Sequence, residues 1–348
     1  MKLILIFFIT LSTVLFAADD SNHETYAKEA IREMSKGNFE LAIEKLEKAL
    51  ELSGGEANYA YELAHCHYQL RNYRDAIFIL DTLIRRDDAQ VHYFQMLGNC
   101  YDYLAKKDAA INIYTVGINK FPDSGRLYME LGTAEYGRNK FEDAEMYWKI
   151  AIDKEPYYDN TYYRLAKYFH EKKHYVAALY FGELFLNLTF NEDKFKDINQ
   201  MLFKIYNESL CETCPDIMEM VSKDQSNLMQ NSFFYEKLYN LAYKKSFDTK
   251  KTSLTLADIN ELRKNFRLEW KIMQGDATID DPLVQYTDKI ANAGMFDEYN
   301  YWLMSEGDTD EFVEWAKKHY VEFTDFINWK TENRIELEDK SEKAKASE

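Results

Sequence analysis

The chain has 348 residues and carries 60 acidic against 43 basic side chains, a formal net charge of −17. Such a surface repels phosphate backbones and anionic lipid, which argues against nucleic acid and acidic membranes as partners. Only 12 glycines and 4 prolines occur, so breakers are scarce and helix is expected throughout.

The amino terminus reads as an export signal. Lys2 precedes an uncharged stretch from Leu3 to Phe16, followed by Ala17, Ala18 and the acidic pair Asp19 and Asp20. One positive charge, a short apolar core and small residues before a polar segment form a secretory signal peptide over residues 1–17. The stretch is short for a membrane span, and no cysteine follows it for lipid attachment. The mature chain is therefore expected in the periplasm or secreted, with no integral membrane segment.

A repeat of 34 residues organises the next part, in five units over residues 23–193. Ala42, Ala76, Ala110, Ala144 and Ala178 fall in one column without a gap. Ala30, Ala64, Gly98, Gly132 and Ala166 form a second small column. Leu63, Leu97, Leu131 and Leu165 form a third, with Glu29 in the first unit. Leu50, Ile84, Ile118, Ile152 and Leu186 fill a large apolar column, and Phe39, Tyr73, Lys107, Phe141 and Tyr175 a mostly aromatic one. Each unit carries helical periodicity in both halves around a polar turn such as Arg138-Asn139-Lys140. Small columns let two helices approach, and large ones fill the grooves between them. One hairpin cannot bury its apolar face alone, so neighbouring units stack.

These columns resemble the tetratricopeptide repeat. Tyr128, Leu131, Gly132, Ala144, Trp148, Ala151 and Pro156 follow that family's pattern, as do Phe94, Leu97, Gly98, Tyr101, Ala110 and Pro122. The match is strongest over residues 57–156, while Glu29 and Glu33 in the first unit and Gly182, Phe185 and Phe190 in the last depart from it. The resemblance implies an all-α, right-handed superhelix whose first helices line a concave groove for extended peptides or partner helices. Carried onto this sequence, that face comprises Tyr61, His65 and Tyr68; Gln95, Asn99 and Asp102; Met129, Thr133 and Tyr136; and Tyr163, Lys167 and His170. Tyrosines and hydrogen-bonding groups of this kind suit peptide recognition. Asn99, Arg126, Arg164 and Lys167 do not reproduce the arrangement with which some family members grip a terminal carboxylate.

From residue 194 to about 330 the chain stays helical but loses the period, and a capping role is expected. Phe234, Leu238, Leu241 and Ala242 share one helical face, and Ile259, Leu262, Phe266 and Met273 another, with Gly275 as a stop. Breaks fall near Cys211–Pro215, Ser246–Ser253 and Gly275–Pro282. The aromatic residues Phe296, Tyr299, Tyr301, Trp302, Phe312, Trp315, Tyr320, Phe323, Phe326 and Trp329 are read as core. Residues 331–348 are read as a charged, solvated tail.

Reactive motifs are few. His170-Glu171-Lys172-Lys173-His174 matches a zinc-peptidase string, but the repeat register places its end in a turn, so the two histidines do not share a helical face. His65-Cys66-His67 points in several directions, and Cys66 and Cys100 share a packing column as buried thiols. Cys211 and Cys214 could form a local disulfide once exported. No cofactor or metal is expected. The reading is a non-enzymatic adaptor binding protein or peptide in the periplasm or cell envelope. A glycan-binding helical-repeat protein using the aromatics of residues 296–329 is the alternative, and a zinc hydrolase is the minor one.

Overall fold

The computed structural model describes residues 20–209, 232–249, 251–274 and 281–337. The signal-peptide reading of residues 1–17, the Cys211–Cys214 pair and the stop at Gly275 lie outside the described residues. Among those described, every regular element is an α-helix, and no helix is long and apolar enough to cross a membrane. The chain divides into two compact units, Met1–Tyr147 and Trp148–Glu348.

Unit 1 is a run of helical hairpins. Its helices are α1 (Asp20–Ser35), α2 (Phe39–Ser53), α3 (Ala57–Gln69), α4 (Tyr73–Leu83), α5 (Val91–Tyr103), α6 (Lys107–Lys120), α7 (Gly125–Tyr136) and the start of α8 (Phe141–Lys154). From the second unit of sequence onward, helix starts recur at the spacing of the sequence repeat, at Ala57, Val91 and Gly125 and again at Tyr73, Lys107 and Phe141. The turn inside each hairpin is the same object every time. Gly37, Arg71, Ala105, Asn139 and Lys173 all take positive φ, between 57° and 80°. The following N–H reaches back to a carbonyl five residues earlier: Asn72 to His67 at 2.8 Å, Lys106 to Tyr101 at 2.9 Å and Lys140 to Glu135 at 3.1 Å. This left-handed C-terminal cap satisfies carbonyls that a helix end leaves open. Only the first unit uses glycine there; the others hold side chains in a conformation they rarely adopt.

The small columns are where helices touch. Ala42, Ala64, Ala76 and Ala110 have no exposed surface, and a Cβ on Gly98 would lie 2.2 Å from the Tyr114 ring. Leu80, Phe94, Leu97 and Leu127 fill the space around them. Cys66 and Cys100 are buried free thiols, and burial pushes their pKa up to about 11 and about 12.

Unit 2 continues with α9 (Asp159–Glu171), α10 (Tyr175–Leu188) and α11 (Glu192–Ser209). The helix α11 begins within one residue of where a sixth repeat would begin, so the helical register outlasts the five units seen in the sequence. Its member of the leucine column is Asn199, fully buried. Asn199 donates to the Trp302 carbonyl at 3.1 Å and accepts from the Glu306 N–H at 2.8 Å. The neighbour here is polar backbone at a helix C-terminus and the turn after it rather than another apolar hairpin, which is why the repeat pattern stops.

Among the described residues, four helices lie between α11 and the last hairpin of unit 2: α12 (Ser232–Ser246), α13 (Leu256–Gln274), α14 (Pro282–Asn292) and α15 (Phe296–Leu303). The pair α14–α15 reuses the repeat's turn, with Gly294 at φ 76° and the Met295 N–H bonded to Ile290 at 3.2 Å. A polar core ties the region together. Arg263 is buried and bonds Glu183 through both terminal nitrogens, at 2.9 and 2.6 Å, while its Nε donates to Asn300 at 2.7 Å. Tyr299 donates to the same carboxylate at 2.9 Å. A buried charge pair is tolerated when its remaining bonds are made as here.

The last described helices are α16 (Thr309–Lys318) and α17 (Tyr320–Glu332). Several expectations for this half need correction. Leu241 and Met273 are 38% and 39% exposed, so their apolar faces are narrower than the spacing suggests, and the Phe234 side chain lies outside the described residues. Of the aromatic set, Tyr299, Tyr301 and Phe326 are buried, but Tyr320 is 72% exposed and the rest are half-buried. Residues 331–337 are not a solvated tail. Ile335 and Leu337 are buried, and the Leu337 backbone exchanges hydrogen bonds of 2.9 and 3.0 Å with the Tyr157 hydroxyl.

Candidate functional site

In unit 1 the first helices of successive hairpins, α3, α5 and α7, lie side by side. Helical spacing brings the expected residues onto their common face, but the structure divides them by role. Tyr61 is half-buried and packs on His92 and Tyr93, with ring centroids 4.4 and 5.3 Å away. Burial and then Glu62 push its hydroxyl pKa up to about 12. Tyr68 touches Tyr73 and Tyr103, both at 5.7 Å, and Tyr103 is 63% exposed. Met129 is buried, and Thr133 donates to its carbonyl at 2.9 Å. Tyr136 packs on Phe141 at 5.5 Å. Tyr61 and Tyr68 therefore serve packing as well as surface, and Met129 belongs to the core rather than the face, contrary to a clean separation of core and groove columns.

The amides on this face are already bonded. Gln95 and Asn99 both donate to Glu130 Oε1, at 2.9 and 3.4 Å, and Asn99 Oδ1 accepts from the Tyr114 hydroxyl at 2.5 Å. One carboxylate on α7 thus braces two side chains on α5, and a tyrosine from α6 fixes Asn99 from below. His65 makes contacts within its own helix, to Gln69 at 2.8 Å and Glu62 at 3.7 Å. Asp102 is half-buried at the far end of α5. Burial, then Arg126, lowers the pKa of the neighbouring His92, which favours a neutral imidazole at physiological pH.

In unit 2 the equivalent face belongs to α9 and α11. Tyr163 donates to Asp197 at 2.8 Å and Lys167 to both oxygens of the same carboxylate at 3.0 and 3.1 Å. His170 Nε2 lies 3.5 Å from Glu208. Burial and then Asp197 raise the Tyr163 pKa to about 12. The zinc-peptidase string is split by the turn: α9 ends at Glu171, Lys173 takes φ 61°, and His174 precedes α10. Among the described residues no three His, Cys, Asp or Glu side chains are placed to hold a metal ion.

Sequence reading missed Glu130, Asp197 and Glu208. Asp197 occupies the column of Tyr61, Gln95, Met129 and Tyr163, so extending the alignment by one helix finds it. Glu130 sits one residue beside Met129, and its bonds to Gln95 and Asn99 on α5 mark it.

The tetratricopeptide-repeat family model matches residues 33–100. Among solved structures, the fold is similar to TTC0263, a thermophilic tetratricopeptide-repeat protein of Thermus thermophilus, at 16% identity over 53% of this chain and 98% of that one, with TM-score 0.46. It is similar to Pseudomonas aeruginosa PilF at 16% identity over 62% of this chain and 93% of that one, with TM-score 0.43. A third similarity is to YrrB, described as having an unusual peptide-binding site, at 16% identity over 49% and 87% of the two chains, with TM-score 0.35. Among curated proteins none matches the sequence.

Proposed function

We propose that this chain, a tetratricopeptide-repeat protein, is a non-catalytic adaptor that binds a peptide or partner helix on the first-helix face of unit 1. The carrying observation is the row of half-buried tyrosine, histidine and amide side chains on α3, α5 and α7, with the two amides of α5 braced to α7 through Glu130. Side chains fixed before a partner arrives lose little entropy on binding, and tyrosine adds amphipathic contact area. The bracing supports recognition by shape and apolar contact around a fixed polar centre, with Asp102 and His65 at hand for specific bonds. The amino-terminal sequence supports export, so the periplasm or extracellular space is the proposed location.

The test leaves the brace intact. His65→Ala combined with Asp102→Lys alters two face residues whose side chains hold no second helix in place. Native extract is passed over immobilised wild type and variant, with circular dichroism confirming that both are folded. Loss of a specific protein from the folded variant supports the reading, and equal retention by both refutes it.

A further inference from the structure

Unit 2 contains an open cavity of about 90 Å³, lined from α10, α12, α13, α14 and the first residue of α15. Its apolar lining includes Leu179, Phe266, Trp270, Leu283 and Phe296. Two arginines also line it, and they differ. Arg263 has every guanidinium nitrogen bonded, to Glu183, Tyr206 and Asn300, so it closes that side as structure. Arg267 does not. Its Nη2 lies 2.7 Å from Asp288 Oδ1, yet Nε and Nη2 are both out of solvent without an aligned hydrogen-bond acceptor. Nε and Nη2 form one edge of the planar fork, the arrangement that receives the two oxygens of a carboxylate.

The charges around the cavity are matched. Glu183 cancels Arg263, while Asp288 is shared between Arg267 and Lys271, the latter at 3.6 Å. Asp281, which accepts from Tyr180 at 3.0 Å, supplies a third carboxylate beside the lining, so the three basic and three acidic groups balance and it is the Nε–Nη2 edge that sets Arg267 apart. Buried donors lacking acceptors are uncommon and call for an explanation. Small-molecule sites commonly combine an apolar lining with a few convergent polar groups, here Arg267 with Asp288, Thr287 and Tyr180.

We propose that this cavity binds a small organic carboxylate with an aromatic body. The body packs against Phe266, Trp270 and Phe296, and the carboxylate takes the Nε–Nη2 edge of Arg267 by displacing Asp288, which keeps its contact with Lys271. This site is separate from the proposed peptide face, and neither depends on the other.

Three probes sharing one body decide it: 3-phenylpropanoate, 3-phenylpropan-1-ol and 3-phenylpropylamine, titrated into the full chain by calorimetry and by tryptophan fluorescence. The acid is expected to bind saturably at one site, about tenfold more tightly than the alcohol, because a charge-assisted bond replaces a neutral one. The amine is expected not to bind. Arg267→Gln is expected to remove that tenfold advantage and leave alcohol binding unchanged, and Leu179→Trp, which fills the cavity, to abolish binding of both. Absence of saturable acid binding by the wild type, or equal affinity for acid and alcohol, overturns the proposal, and neither result depends on a variant folding.

Discussion

Gly98→Ala tests the packing that holds the proposed face in place. The added Cβ would meet the Tyr114 ring at 2.2, 2.6 and 2.7 Å, well inside ordinary contact, which begins at 3.4 Å. Tyr114 is only 2% exposed, so the ring cannot swing into solvent, and any shift disturbs its 2.5 Å bond to Asn99. Overpacking of this kind costs about 1–3 kcal/mol, and a lost hydrogen bond about 1 kcal/mol more. Alanine returns about 1 kcal/mol through its better helix propensity. The net expectation is a loss of about 2 kcal/mol, read as a lower midpoint in urea unfolding followed by far-ultraviolet circular dichroism, with the slope checked for a change in cooperativity. Tyr114→Leu removes the obstructing ring, so the two losses should be less than additive in the double variant. A Gly98→Ala protein within about 0.5 kcal/mol of wild type, the range of an innocuous surface change, would refute the reasoning.

Three further outcomes follow from other parts of the molecule. Arg263→Met leaves Glu183 charged and buried without its partner, and should destabilise by about 3–5 kcal/mol in the same assay, while replacing Glu183 as well with leucine should restore much of the loss. Ala105→Gly relieves a left-handed conformation at φ 57° and should stabilise by about 0.5–1 kcal/mol, whereas Ala105→Pro should prevent the turn. Burial, then Arg334, lowers the Lys330 pKa from 10.5 to about 8. The folded state thus releases this proton before the unfolded state does, so its contribution to stability should rise as pH climbs from about 8 to about 10.5. Lys330→Met should be more stable than wild type at neutral pH, with the advantage shrinking across that window in pH-dependent melting.

Where the sequence repeats, the fold was legible. The alanine column predicted close helix contacts at Ala76 and Ala110, and the polar turns predicted the hairpins, because each unit meets the same neighbour and needs the same residues. The left-handed turn was not legible outside the first unit, since arginine, alanine, asparagine and lysine carry no common preference for it; hydrogen bonds made by the next residue impose it. The sixth first helix escaped for a different reason. Its partner is the backbone around Trp302 and Glu306, so the column residue became Asn199, which reads as surface. The apolar stripes around Leu241 and Met273 overstated burial because helical spacing gives direction but not the width of the neighbour. At the proposed face, the repeat register places the named residues on α3, α5 and α7, but does not reveal that Gln95 and Asn99 are held by Glu130. That bond joins residues on different helices, and a periodic reading of single columns does not pair them.

The central claim is that partners are received on the first-helix face of unit 1. The most direct measurement places a photo-cross-linking benzoylphenylalanine at position 102, on that face, and separately at position 78, where Phe78 projects from α4 with 76% exposure. Both proteins are irradiated in native extract, and the products are mapped by mass spectrometry. Binding on this face predicts a discrete cross-linked polypeptide from position 102 that an excess of the unmodified chain competes away, and no such product from position 78. A competed product from position 78 with none from position 102 would contradict it.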